Sequence, residues 1–454
     1  MERRLFGTNG IRGVVNQDLT SEFVVKMGLA IGTFFNGGQL LIGCDGRTSS
    51  QLFKEAMISG LVSTGCSVHD VGCAPTPAIQ FLTKHFELDG SVTITASHNP
   101  PEYNGIKVNS SDGIEIPRED EVKIEQNYFN ETFRQVPWNL LGKVYERKHV
   151  LNIYLDAIKR HVDVGAIKKE HYRVVVDPGN GVGTITTPYL LRELGCEVIT
   201  INSNLDGRFP SRLPEPALEN LKDLASTVKA VKADMGVAHD GDADRSIFCD
   251  ETGTLHWGDK SGAIIQKYIL KTHPGATIVT PVSSSKLVED IAERYGGKIV
   301  WTKVGSIIVS RKMLEVGSIF SYEENGGIFY APHLPVRDGG ISAALMLEIM
   351  AKTGKTLSQL VNELPKYYAV KAKIKCSNDL KPKVLDRLLE ETSKYERLTL
   401  DGVKLFIDNG SILIRPSGTE PIFRVFSEAK TEAKAKSLSE FGMKLVRDLI
   451  KKSQ

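Results

Sequence analysis

The stretch that decides the fold is LLIGCDGRTSSQLFKEAMISGLVSTGCSVHDVG, Leu40 to Gly72. LLIGCD reads as an apolar strand that ends on Asp45. A loop follows, then the helix-like run LFKEAMISGLVSTG, then a second strand opening at CSVHDVG. The pattern occurs twice more. YRVVVDPGNG, Tyr172 to Gly181, gives a strand, an aspartate and a glycine loop, followed by the helix TPYLLRELG and the strand CEVITIN. ATIVTPVSSS, Ala276 to Ser285, gives a strand and a serine loop, followed by the helix KLVEDIAERYGG and the strand KIVWTKVG. In each copy about twenty residues separate the two strands, a crossover length that argues for a parallel or mixed sheet flanked by helices. The copies lie too far apart for a solenoid, whose periods run to about 50 residues. They read as three related α/β domains.

The last part of the chain reads differently. After the helical run ISAALMLEIMAKTGKTLSQLVNEL come a strand, YYAVKAKIKC, and a helix through VLDRLLEETSKY. Three strand signals, LTLDGVKLFI, SILIRP and IFRVFSEA, and a terminal helix complete it. Strands in succession with segregated helices predict an α+β domain. The expected fold class is therefore α/β, with three similar mixed-sheet α/β domains and a C-terminal α+β domain around a central cleft. The expected boundaries are 1–149, 150–252, 253–366 and 367–454, with the helix LNIYLDAIKRHV bridging the first two domains.

Bulk composition narrows the function. The 454 residues are too many for one core. Lys and Arg number 57 against 55 Asp and Glu, a net charge of +2, so no overall field draws nucleic acid. No apolar run approaches the 18 or so residues that span a bilayer, and MERRLFGTNG lacks the apolar core of a signal peptide. The six cysteines, at 44, 66, 73, 196, 249 and 376, form no CxxC pair and no zinc spacing. A cytoplasmic chain with buried thiols, no membrane partner and no nucleic-acid partner is expected.

Five short stretches carry chemistry. AHDGDADR, Ala238 to Arg245, alternates Asp240, Asp242 and Asp244, so a curled loop can converge three carboxylates. Such anions repel unless a cation sits between them, and Mg²⁺ with oxygen ligands fits. An EF-hand competes, because Glu251 is twelfth from Asp240. That motif needs glycine at the sixth position, where Arg245 stands, and flanking helices, where SIFCDETGTLHW reads as a hairpin. RPSGTEPIFR, Arg415 to Arg424, sets Ser417, Gly418 and Thr419 around a turn flanked by Arg415 and Arg424, which suits a phosphate cradle; an ordinary hairpin turn is the alternative. YEENGG, Tyr322 to Gly327, offers Glu323 and Asn325 to sugar hydroxyls. TASHNP, Thr95 to Pro100, puts Ser97 on a sharp loop at a strand end, where it caps, turns or meets a substrate. FGTNGIRG, Phe6 to Gly13, reads as a glycine loop carrying Arg12. Together these describe phosphoryl transfer to or from a sugar, in a cleft to which each domain contributes one element.

In this order the motifs resemble those of the α-D-phosphohexomutase family over the whole chain. The resemblance implies that TASHNP is the phosphoserine loop, with Ser97 carrying the phosphoryl group. It implies Mg²⁺ on Asp240, Asp242 and Asp244 with an oxygen at Ser97, and Arg245 in the same loop toward substrate. YEENGG matches the family's sugar loop, usually Glu-x-Ser-Gly-His, and RPSGTEP its phosphate-binding loop. FGTNGIRG would bring Arg12 toward the reacting phosphate. His98 and Lys107, in ASHNPPEYNGIK, match positions assigned to proton transfer or phosphate contacts, and WTKVG, Trp301 to Gly305, matches a loop in which Lys303 would contact substrate.

The implied reaction interconverts hexose 1- and 6-phosphates through a phosphoserine and a hexose 1,6-bisphosphate, which also primes the serine. A sugar-phosphate phosphatase and a non-catalytic sensor are the alternatives on the same fold, and a monomer or homodimer is expected. Asn325 and Gly327 depart from the family's serine and histidine, so a choice among glucosamine, mannose and glucose phosphates does not follow. LFGTNGIRG most resembles phosphoglucosamine mutases.

Overall fold

The structure is a computed structural model that describes residues 5–417 and 420–453. The chain divides into two compact units, Met1–Ser261 with Asn325–Leu360 and Gly262–Glu324 with Val361–Gln454.

In the first unit, β1 (Ile11–Val14), β2 (Gln39–Cys44), β3 (Ser67–Cys73), β4 (Gly90–Ile94), β5 (Tyr103–Ser110) and β6 (Val144–Glu146) form one sheet in the order β1-β5-β4-β2-β3-β6. A second sheet of the same unit contains β7 (Arg173–Asp177), β8 (Glu197–Thr200), β9 (Met235–His239), β10 (Ser246–Asp250) and β11 (Leu255–His256), in the order β11-β10-β9-β7-β8. In the second unit, β12 (Thr277–Pro281) lies parallel to both β13 (Lys298–Thr302) and β14 (Phe320–Tyr322). The hairpin β15 (Ile328–Tyr330) and β16 (Leu334–Arg337) belongs to the first unit. The second unit closes with β17 (Tyr368–Lys375), β18 (Arg397–Leu398), β19 (Val403–Ile407), β20 (Gly410–Pro416) and β21 (Ile422–Ala429), an antiparallel sheet in the order β17-β21-β20-β19-β18.

The three copies of the opening pattern share one topology. In each, the first strand (β2, β7, β12) sits between the strand that follows its crossover helix and the next one, and all these pairs are parallel. The crossover helices are Ser50–Ser63, Thr187–Glu193 and Leu287–Tyr295. A strand paired on both edges and covered on both faces can be apolar throughout, as β4 and β9 are buried at every residue. The aspartate and serine loops therefore leave from the carboxyl ends of central strands, where open α/β sheets present their ligands.

Three local readings change. FGTNGIRG is not a loop throughout, because Ile11–Val14 pairs antiparallel with β5 and carries Arg12 on a strand. LTLDGVKLFI is two strands, β18 and β19, split by a turn in which Gly402 has φ +73°. The run from Ile341 breaks at Gly354 (φ +61°) into the helices Gly339–Thr353 and Leu357–Asn362. All six cysteines are free, and five are buried. Among the described residues no helix is long and apolar enough to cross a membrane.

Candidate functional site

Ser97 ends the short link that leaves β4, and its backbone is held open by a local network. Thr95 Oγ1 accepts from Ser97 N at 2.9 Å and donates to Asp45 Oδ2 at 2.7 Å. The buried Arg47 guanidinium donates to the carbonyls of Ser97 (2.8 Å) and Asn99 (2.6 Å) while its Nε holds Asp45. The price is a left-handed φ of +52° at Ser97, which costs a non-glycine residue roughly 1–2 kcal/mol. Gly241 of the aspartate loop must approach closely, since a Cβ there would lie 2.5 Å from the Ser97 carbonyl oxygen.

The result is a direct contact between the two loops. Ser97 Oγ donates to Asp240 Oδ2 at 2.9 Å, and the other oxygen of Asp240 accepts from Arg245 N at 3.1 Å. Asp242 Oδ2 accepts from Thr76 Oγ1 at 2.6 Å and from Lys107 Nζ at 2.9 Å. Asp244 Oδ2 accepts from Arg337 Nη2 at 2.5 Å. The second oxygens of Asp242 and Asp244 are buried and without a hydrogen-bond partner. Ligand atoms of the three aspartates all lie within 4.8 Å of one another. Two orphaned buried carboxylate oxygens beside a third acid fit a hard divalent cation, which would satisfy both at once. Glu251 is engaged elsewhere, by Ser358, and β10–β11 is a hairpin, so the loop is not an EF-hand.

Charge in this cluster is closely balanced. Burial, with Asp244 and Asp242 alongside, pushes the Asp240 carboxyl well above the usual carboxylate range. At Asp242 burial acts the same way, but Lys107, Thr76 and Arg337 outweigh it and hold the group below that range. Lys107 is held as a cation in turn: burial disfavours its charge, and Asp242 and Asp244 more than restore it. His98 is driven far below the ordinary imidazole value by desolvation, then by Arg245 and Arg12. It is neutral at pH 7, and its Nδ1 accepts from Arg245 Nη2 at 3.0 Å. Arg245 also forks onto both oxygens of Glu215, at 2.9 and 3.0 Å. Arg12 Nη1 donates to Asn99 Oδ1 at 2.5 Å.

The first unit thus gathers Arg12, Ser97, His98, Lys107, Asp240, Asp242, Asp244 and Arg245 into one cluster. Asn325 joins it through backbone. Ser246 N donates to Gly326 O at 3.0 Å, and Gly327 bridges Arg245. Asn325 Oδ1 accepts from Gly327 N at 3.1 Å, so part of the side chain offered to sugar shapes its own turn. Thr76, Arg47, Glu215 and Arg337 have no motif around them. For Thr76 and Arg47, only their position at the carboxyl ends of β3 and β2 hinted at the site.

The second unit holds the other set. Glu323 is buried directly after β14, while Lys303 is exposed after β13. Arg415 and Arg424 stand directly opposite each other on β20 and β21. Arg415 pairs with Asp401 at 3.2 Å and Arg424 with Glu420 at 2.7 Å. Asp401 Oδ2 also accepts from Val304 N at 3.2 Å, which ties the 303–304 loop to the arginine that faces phosphate in the sequence reading. Ser417 Oγ accepts from Glu420 N at 3.2 Å. Gly418 and Thr419 lie outside the described residues.

Comparison with known proteins identifies the family. Models of phosphoglucomutase/phosphomannomutase alpha/beta/alpha domains I, II and III match residues 3–135, 152–253 and 257–368, and the model of the C-terminal domain matches 358–444. A phosphoglucomutase/phosphomannomutase of Thermococcus kodakarensis is 47% identical over 456 residues, covering 99% of each chain. A phosphoglucosamine/phosphogalactosamine mutase of Sulfurisphaera tokodaii is 46% identical over 446 residues, covering 96% of this chain and 97% of its own. The crystal structure of a phosphoglucomutase/phosphomannomutase family protein from Burkholderia thailandensis superposes with a TM-score of 0.89 at 26% identity, covering 99% of this chain and 98% of that one. With its three crossover domains, its serine against an aspartate trio and its paired arginines, the chain belongs to the phosphoglucomutase/phosphomannomutase family of phosphohexomutases.

Proposed function

We propose that the chain interconverts hexose 1-phosphates and 6-phosphates, with Ser97 as the phosphoryl carrier. The observation that carries this is the 2.9 Å contact from Ser97 Oγ to Asp240, beside two unpartnered buried oxygens of Asp242 and Asp244. Those aspartates, with an oxygen on Ser97, would hold Mg²⁺. Bound there, the ion would offset the charge on the phosphoryl oxygens during transfer. In the forward half-reaction the O–P bond to phosphorylated Ser97 breaks and a new O–P bond forms to the free hydroxyl of the sugar phosphate. The hydroxyl proton leaves to a base, Ser97 Oγ takes up a proton as its bond to phosphorus breaks, and a 1,6-bisphosphate results. Ser97 then takes back the other phosphoryl group.

Arg12 and Arg245 would face the transferring group. Of the two residues considered for proton movement, Lys107 is occupied as a cation between Asp242 and Asp244, and His98 Nδ1 already accepts from Arg245, so either must give up a partner before it takes a proton. Arg415, Arg424, Ser417, Gly418 and Thr419 would grip the phosphate that does not react. Lys303, Glu323 and Asn325 would read the sugar. A cytoplasmic site of action and a four-domain division near residues 149, 252 and 366 complete the reading.

The test is a phosphopeptide map of active enzyme together with turnover of glucosamine, mannose and glucose 1-phosphates in the presence of the matching bisphosphate. Phosphate on Ser97 with isomer formation is expected. Release of inorganic phosphate without isomer would make the chain a phosphatase instead.

A further inference from the structure

Among the described residues, Arg337 is the one cation of the aspartate cluster that comes from neither the serine loop's sheet nor the aspartate loop itself. It is the last residue of β16, opposite Phe329 in the hairpin register. The next residue, Asp338, caps the helix Gly339–Thr353, accepting from Gly340 N at 2.8 Å and Ile341 N at 3.0 Å, and is held by Tyr154 Oη at 2.7 Å. The backbone on both sides of Arg337 is therefore fixed, and the side chain is 6% exposed. It cannot turn to solvent. Its guanidinium meets one oxygen of Asp244 and leaves the other, Oδ1, without a hydrogen bond, 3.8 Å from Arg245 Nε. Lys107 does the same at Asp242, engaging Oδ2 and leaving Oδ1.

We propose that Arg337, with Lys107, is a resident counter-cation of the aspartate trio. It holds the three carboxylates together in a ligand-ready arrangement when no metal is bound, and its charge weakens the grip on a divalent cation when one is. This rests on the reading of the trio as a metal site. Three carboxylates whose ligand atoms lie within 4.8 Å of one another repel strongly in a buried setting, so protein cations beside them lower the cost of holding charge there in the metal-free protein. Lys107 and Arg337 supply that charge through hydrogen bonds to one oxygen each, Arg245 adds to it from 3.8–3.9 Å, and Oδ1 of Asp242 and of Asp244 is left without a hydrogen bond. The same positive charges then oppose an incoming Mg²⁺, so occupancy is set by the free ion concentration and the ion stays available to phosphoryl oxygens. Arg337 is thus a positioning residue that acts through Asp244.

The proposal separates from a purely structural role by sign. A structural lesion weakens metal binding, whereas loss of a counter-cation tightens it. Mn²⁺ affinity of the full chain, read from the electron paramagnetic resonance of free Mn²⁺, is compared in a Ser97→Ala background, so that no phosphorylation differs between samples. Arg337→Gln should bind Mn²⁺ on the order of tenfold tighter, while its metal-free form unfolds several degrees lower than the parent. Arg337→Lys, which keeps the charge, should stay within about threefold of the parent. Lys107→Met, which removes the other counter-cation, should also tighten binding and decides the matter if Arg337→Gln does not fold. Unchanged or weaker Mn²⁺ binding in these neutral variants would overturn the proposal. A parent that binds no Mn²⁺, with Asp242→Asn no different, would instead remove the metal reading beneath it.

Discussion

The aspartate trio of the first unit and the arginine pair of the second are both clusters of like charge, and they are stabilised in opposite ways. Asp240, Asp242 and Asp244 are at most 2% exposed; protein donors engage both oxygens of Asp240 and one oxygen each of Asp242 and Asp244. Arg415 and Arg424 face each other across an antiparallel ladder, an unfavourable arrangement for like charges, with side chains 18% and 39% exposed. Each has one carboxylate partner, and solvent screens the rest. Burial forces the first cluster to be solved internally and rigidly, because desolvated charge without a partner is too costly. Partial exposure lets the second stay open to an exchangeable anion.

The comparison makes graded predictions. Removing the proposed carrier should have the largest effect: Ser97→Ala should lower mutase turnover by more than about 10⁴-fold with the fold intact, since on that reading the phosphoryl passes through Ser97. Turnover near wild type in a coupled assay would break the assignment of chemistry to the first unit. Asp242→Asn comes next. On the proposed metal site it removes one charged ligand, and it neutralises one of the two aspartates beside Lys107, so kcat should fall on the order of 10²–10³-fold, and excess Mg²⁺ should restore part of it. Full activity in chelator-treated wild-type enzyme would sink the metal assignment.

In the second unit the expected changes move to KM. Arg415→Ala and Arg424→Ala should each raise the KM for sugar phosphate by about 10- to 150-fold, the worth of roughly 1.5–3 kcal/mol for bonds to a charged group. Some loss of kcat should follow, because a remote grip also orients the sugar. Identical KM values in both variants and wild type would reduce the arginine pair to a surface turn. Specificity should be broad: Asn325 and Gly327 leave few polar groups for a wrong C2 substituent to strand, so kcat/KM for glucose, mannose and glucosamine phosphates should agree within about 100-fold. The smallest effect belongs to Asp401→Asn, which loosens both Arg415 and the 303–304 loop and should raise KM by about 3- to 10-fold with less change in kcat. A change confined to kcat would mean that Asp401 does not act through the arginine.

What the sequence determined by itself was whatever is written in a short window. Apolar runs separated by one helix length specify the three crossovers, and Asp240, Asp242 and Asp244 alternate within a single loop. Ser97 sits just past the end of a strand, and Arg415 and Arg424 bracket one turn; each of these needs only local geometry to be legible. The family's motifs made the sites readable for the same reason, because their residues are close in the chain. Tertiary structure alone decided which charges meet. Arg337 lies 93 residues beyond Asp244, and its hydrogen bond depends on where β16 ends, which no local pattern specifies. Thr76 reaches Asp242 across 166 positions, and Arg47 closes the serine loop from about 50 positions away. The protonation of His98 and Lys107 was hidden for the same cause. Both were candidates for one proton-transfer role, and their desolvation and charged neighbours, set by packing, made one a neutral imidazole and the other a buried cation.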